Sequence, residues 1–84
     1  MIRVHTRFFA SHRESLGIDR LDIELPDEAT VADLVDRIAN EFPNADSIAR
    51  LARYAVNRVY LPATTVLHAG DEVAFIPPVA GGGA

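Results

Sequence analysis

The chain has 84 residues, a net charge of −4 and no cysteine. One small domain is expected; disulfides, thiolate metal sites and thiol nucleophiles are excluded; and a phosphate backbone would be repelled, which argues against nucleic acid. A hydrophobic share of 49% separates the chain from disordered sequences, no apolar run approaches the roughly 20 residues that span a bilayer, and no basic-then-apolar secretion signal opens the chain, so a soluble, cytoplasmic protein without a membrane partner is expected.

Met1 to Ala10 alternates, with Ile2, Val4, Thr6 and Phe8 on one face and Arg3, His5, Arg7 and Phe9 on the other. That period predicts a half-buried strand, with Phe9 an aromatic on its polar face. Ser11 to Gly17 predicts a short helical turn in which Ser11 caps, Glu14 follows three residues on and Gly17 stops the turn. Ile18 to Leu25 predicts a second strand, with Leu21, Ile23 and Leu25 inward and Asp22 and Glu24 outward, ended by Pro26-Asp27. Thr30 opens the main helix through a capping box closed by Asp33. Val31, Leu34, Val35, Ile38 and Phe42 form one apolar stripe along it, and Pro43 closes it. Ala45 to Arg53 predicts a second, shorter helix. Tyr54 to Asn57 predicts a strand, Asn57-Arg58 a tight turn or bulge, and Val59 to Leu61 an extended continuation. Pro62 to Thr65 breaks it, Val66-Leu67 is a further short apolar piece, and His68 to Asp71 predicts a turn. In the last strand Val73 and Phe75 alternate with Ala74 and Ile76, and Pro77-Pro78 ends it, because proline cannot donate to the ladder. Sequential strands covered on one face by one long helix predict a two-layer α+β domain. The first and last strands are the most apolar, which places them side by side in the middle of the sheet.

The chemistry-bearing residues are sparse. His5, His12 and His68 lack any metal-ligand spacing and read as solvated surface groups. Asp27-Glu28 and Asp71-Glu72 lie in turns without a cleft to separate their pKa values, and read as solvated. Gly81-Gly82-Gly83 follows a strand but precedes no helix, so phosphate cradling fails its structural test. The domain alone is therefore expected to hold no catalytic site, no metal and no cofactor. What remains is the segment after Pro78, where no side chain exceeds Val79. It reads either as a terminus with nothing to pack or as a tail threaded into a narrow tunnel, where glycine admits a close backbone. From Val79 to Ala84 such a tail reaches roughly 20 Å. Its carboxylate is a poor acyl donor until it is adenylated by ATP, after which a sulfur nucleophile can displace AMP to leave a thiocarboxylate. All eight basic residues are arginine, so no lysine is available for isopeptide attachment to the chain itself.

Arg7-Phe8-Phe9-Ala10, Arg13-Glu14, Leu16-Gly17, Ala55-Val56-Asn57 and the ending from Gly70-Asp71-Glu72-Val73 to Pro77-Pro78-Val79-Ala80-Gly81-Gly82 together resemble the small subunits of molybdopterin synthase, a family of ubiquitin-like sulfur carriers. The resemblance covers nearly the whole chain. It implies a ubiquitin-like β-grasp fold with a mixed sheet, a domain over 1–78 and a flexible glycine-rich tail over 79–84. It implies a non-catalytic, sulfur-donating subunit in molybdenum cofactor biosynthesis. Its ATP would be used by a partner adenylyltransferase related to ubiquitin-activating enzymes, and its tail would insert into the large synthase subunit. Residue by residue, Gly82 matches the thiocarboxylated glycine and Gly81 its neighbour. Phe9, Tyr60 and Ile76 match an apolar docking patch, and Pro77, Pro78 and Val79 lead from it into the tail. The family ends at the second glycine of its motif, whereas this chain continues with Gly83 and Ala84. Three readings follow: a protease removes the two residues, they are foreign to the natural chain, or the protein no longer carries sulfur. Two alternatives to the molybdopterin role stay open. One is a carrier for another pathway (thiamine, cysteine, thiolated tRNA) or a ubiquitin-like protein modifier; the other is a passive interaction module.

Overall fold

The computed structural model describes residues 1–42 and 53–77. Their elements are β1 (Ile2–Phe8), α1 (Ala10–Leu16), β2 (Arg20–Leu25), α2 (Val31–Glu41), β3 (Arg53–Val56), β4 (Val59–Tyr60) and β5 (Glu72–Ile76). The strands form one five-stranded sheet in the order β2-β1-β5-β3-β4. β1 and β5 run parallel in the middle, as their apolar content predicts, and every other pairing is antiparallel. This is the mixed sheet and helix of the β-grasp fold.

The alternation of β1, β2 and β5 turns one face of the sheet toward α2. Val4, Phe8, Ile23, Leu25, Val56, Val73 and Phe75 are buried there against Val31, Leu34, Val35 and Ile38 of the helix. Phe42, at the end of the stripe, is half-buried against the same cluster. The capping box forms as its residues require: the Thr30 hydroxyl accepts from the Asp33 amide at 3.3 Å, and the Asp33 carboxylate accepts from the Thr30 amide at 2.8 Å. The next two amides of α2 would otherwise be orphaned. They donate instead to carbonyls of the segment that breaks after β4, Val31 to Thr65 at 3.0 Å and Ala32 to Ala63 at 2.9 Å. The same segment carries Leu67 into the core at 1% exposure.

The Asn57-Arg58 turn is a two-residue hairpin. Both residues are left-handed, with φ of 50° and 72°, the conformation that matches the twist of the flanking strands. Asn57 also reaches out of the hairpin. Its side-chain amide donates to Asp71 at 2.9 Å, and its oxygen accepts from the Glu72 amide at 3.0 Å. Asp71 further accepts from the His68 amide at 2.8 Å. Asp71 is therefore not a solvated turn residue; its side chain is 15% exposed and braces the entry to β5.

Three other expectations change. Phe9, extended at φ −123°, is the N-cap of α1 and its carbonyl takes the His12 and Arg13 amides at 3.0 and 3.4 Å, so Ser11 lies within the first turn. The strand runs straight into the helix, which leaves no position for a polar cap. His12 is not a surface group: it is 4% exposed, with Nδ1 3.4 Å from the Phe75 carbonyl, because α1 folds back against the sheet. His5 and His68 are exposed, as expected. Arg53 opens β3 rather than ending a helix; the rest of the helix expected from Ala45 lies outside the described residues. Among the described residues no helix is long and apolar enough to cross a membrane.

Phe75 is fully buried between two aromatic neighbours. Phe75→Ala is expected to cost about 3–5 kcal/mol, and Thr30→Ala about 1 kcal/mol through loss of the helix cap. Urea denaturation of both variants, read against the parent chain, checks the ranking.

Candidate docking face

The face of the sheet turned away from α2 is built from the other half of each alternation. In register, Tyr60 on β4 lies opposite Ala55 on β3, Ala55 opposite Ala74 on β5, Ala74 opposite Arg7 on β1, and Arg7 opposite Arg20 on β2. The next row toward the end of β5 holds Arg53 opposite Ile76. One step past the Phe8–Phe75 pair, Phe9 continues β1 beside Ile76 on this same face. Two alanines thus floor a shallow trough between an aromatic on one side and a guanidinium on the other.

The expected docking residues come together here. Phe9 is 37% and Tyr60 61% exposed; Ile76 and Pro77, which follows β5 directly, are half-buried. Pro78, Val79, Gly81, Gly82 and Gly83 lie outside the described residues. Val59, although 57% exposed, is not part of the face: it pairs with Val56, whose side chain joins the core.

Sequence reasoning missed two members of the patch. The Arg7 guanidinium lies over the Phe9 ring, 5.2 Å from its centroid, and that of Arg53 over the Tyr60 ring at 5.8 Å. Such stacking holds a cation flat against an aromatic. The signal for Arg7 was present in the alternation, since Arg7 and Phe9 stand two residues apart on one strand and share its outer face. The signal for Arg53 was hidden by its assignment to a helix.

Charge is segregated along the same face. Toward the start of β1, each charge meets an opposite one. Arg3 bonds Glu24 at 3.4 Å, and His5 Nδ1 lies 2.8 Å from Asp22. The hydrogen bond with His5 holds the Asp22 carboxyl below its ordinary pKa; burial opposes it, and the nearby charges of His5, Arg3 and Arg20 add to the lowering. Toward the end of β1 the pattern changes: Arg7 faces Arg20, and the carboxylate of Glu72 stands 4.0 Å from Arg7.

A carboxyl held low in the folded state stabilises that state at pH values above its unfolded pKa. The contribution is lost as pH falls through the lowered value. His5→Ala is expected to move the Asp22 titration upward, toward an ordinary aspartate, and so to weaken the pH dependence of stability in the acid range. Carboxyl-carbon NMR titration of parent and variant checks this.

A model of the ThiS family matches residues 6–82. The molybdopterin synthase sulfur carrier subunit of Mycobacterium tuberculosis is 39% identical over 83 residues, which cover 98% of this chain and all of that protein. A Pyrococcus furiosus protein assigned as molybdopterin converting factor subunit 1 superposes with a TM-score of 0.84 at 30% identity, covering 94% of this chain and all of its own. One chain of the Helicobacter pylori complex of subunits 1 and 2 of molybdopterin-converting factor superposes with a TM-score of 0.70 over 95% of this chain and 99% of its own; at 22% identity this is a likeness of fold.

Proposed function

The chain belongs to the ThiS family, and from that premise we propose that it is a sulfur carrier, the small subunit of a molybdopterin synthase, whose reacting atom sits on its C-terminal glycine. The observation that carries this reading is the end-to-end similarity to a protein of that name, 39% identical over 98% of this chain. The geometry agrees with it. In sequence β5 is followed by Pro77 and the glycine segment, and Phe9, Tyr60 and the Ala55–Ala74 trough share the free face of the sheet with Ile76 of β5.

In this reading residues 1–78 form the carrier body and residues 79–84 the tail. Gly82 is the terminus that reacts, with Gly81 beside it. An amide at Gly82 cannot be adenylated, so Gly83 and Ala84 must first be removed by a protease. A partner adenylyltransferase then joins the Gly82 carboxylate to AMP from ATP, releasing pyrophosphate. A sulfur nucleophile displaces AMP and leaves a thiocarboxylate. The carrier contributes no acid, base or metal to these steps; it supplies an unhindered acyl end and a surface by which the activating enzyme and the large synthase subunit hold it. Sulfur donated from the thiocarboxylate leaves the carrier once more as a carboxylate, its oxygen taken from water.

Intact mass of the protein from its native host, prepared without reducing or alkaline steps, is expected to show a species ending at Gly82 with one oxygen replaced by sulfur. A chain that still ends at Ala84 after incubation with ATP, the host's activating enzyme and a sulfur donor would sink the assignment of Gly82. Ile76→Asp, placed in the centre of the docking patch, is expected to weaken binding to the large subunit by about 2 kcal/mol or more, the scale of an interface hot spot. Calorimetric titration measures the loss, and an unchanged melting temperature separates it from misfolding.

A further inference from the structure

We infer that Arg7 and Arg53 form a cationic rim on both sides of the last residues of β5, and that this rim selects a protein partner whose tail-receiving groove is bordered by carboxylates. The inference rests on the docking reading above and specifies the chemistry of the docking partner.

The topology places the two arginines. β5, from which the tail continues, lies between β1, which carries Arg7, and β3, which carries Arg53. Two strand spacings separate β1 from β3, about 10 Å. Arg7 is level with Ala74 and Arg53 with Ile76, so the two arginines flank the last residues of β5. Each is stacked on an aromatic ring of the patch, Arg7 on Phe9 and Arg53 on Tyr60, so each is held near the face. A guanidinium edge fits a carboxylate in two parallel hydrogen bonds.

Arg7 is also poorly satisfied within the chain. Its Nε is buried without a hydrogen-bond partner among the described residues, and the Glu72 carboxylate stands 4.0 Å from its Nη1, beyond hydrogen-bond range. Arg20 faces Arg7 directly across the β1–β2 pair, an arrangement in which like charges repel. The depression around them is lined by His5, Arg7, Arg20, Asp22, Gly70 and Glu72, and Asp22 is already engaged by His5 at 2.8 Å. A carboxylate arriving from outside would relieve the Arg7–Arg20 repulsion and give the Arg7 head a partner. The net charge of −4, taken over the whole surface, would instead favour a basic partner. Arg7 and Arg53, on either side of the last residues of β5, carry the opposite sign.

Association of the full chain with the host's large synthase subunit, followed by stopped flow at low and physiological salt, tests this. Arg7→Glu, Arg53→Glu and the double variant are compared with Arg7→Gln and Arg53→Gln, and melting temperatures confirm that each variant folds. The double reversal is expected to slow association about tenfold or more at low salt and to flatten its salt dependence, as removal of electrostatic steering does. The glutamine variants are expected to fall between. Arg58→Glu, on the hairpin turn away from the rim, is expected to bind nearly as the parent does. A parent chain that binds while the reversed variants associate as fast, or faster, overturns the inference and leaves the docking reading standing. A folded parent chain that does not bind removes both.

Discussion

The ring of Phe75 packs at 5.6 Å from Phe8 and, edge-on, at 5.5 Å from Tyr54, and the two halves of the sheet meet at this contact. β2 and β1 form one antiparallel pair and β3 and β4 another, and β5 alone joins them. On the β1 side the partner of Phe75 is Phe8; on the β3 side it is Tyr54. The Phe75 carbonyl also lies 3.4 Å from buried His12, which brings α1 to the same place. A strand so held is a rigid platform for whatever follows it. That is what a carrier requires, since its reactive end is only as well aimed as the residue from which the tail departs.

The strict alternation of the central strands divides labour between the two faces. The inner face, with Val73 and Phe75 fully buried, is committed to α2 and the core. The outer face is free of that demand. It carries Ala74 and Ala55 where a partner could come close, and aromatic rings under guanidiniums at the edges. Outward and core residues therefore occupy neighbouring positions on the same strands, Phe9 beside Phe8 and Ile76 beside Phe75. A one-residue slip of β5 would exchange them. The brace from Asn57 to Asp71 and Glu72 pins the start of β5 and guards against that slip.

The sequence made local periodicity legible and left long-range contacts obscure. Period-two alternation found β1, β2 and β5, the capping box located the start of α2, and the left-handed pair Asn57-Arg58 was readable as a turn. His12 was misjudged because burial of α1 depends on how one helical turn folds onto the sheet, which no run of seven residues encodes. Asp71 was misjudged for a similar reason: its partners are Asn57, 14 residues away, and the His68 amide. Of the docking face, Phe9 and Ile76 were visible as apolar residues on outward positions. The Arg7–Phe9 stack was latent in the alternation of β1, whereas Arg53 on Tyr60 emerged only once the register was known, because pairing across β3 and β4 decides that this guanidinium meets that ring.

The parallel pairing of β1 with β5 joins the strand that leaves the ribosome first to the one that leaves last among those described here. Until β5 is made, β1 and β2 have only each other, and the aromatic cluster around Phe75 cannot close. Contacts this distant in sequence form late and slow the search for the native state. A nascent or prematurely ended chain lacks both the glycine segment and the strand that completes the fold. The glycine segment and structural completion thus arrive together, and an interrupted translation product offers a partner neither an end nor a finished surface.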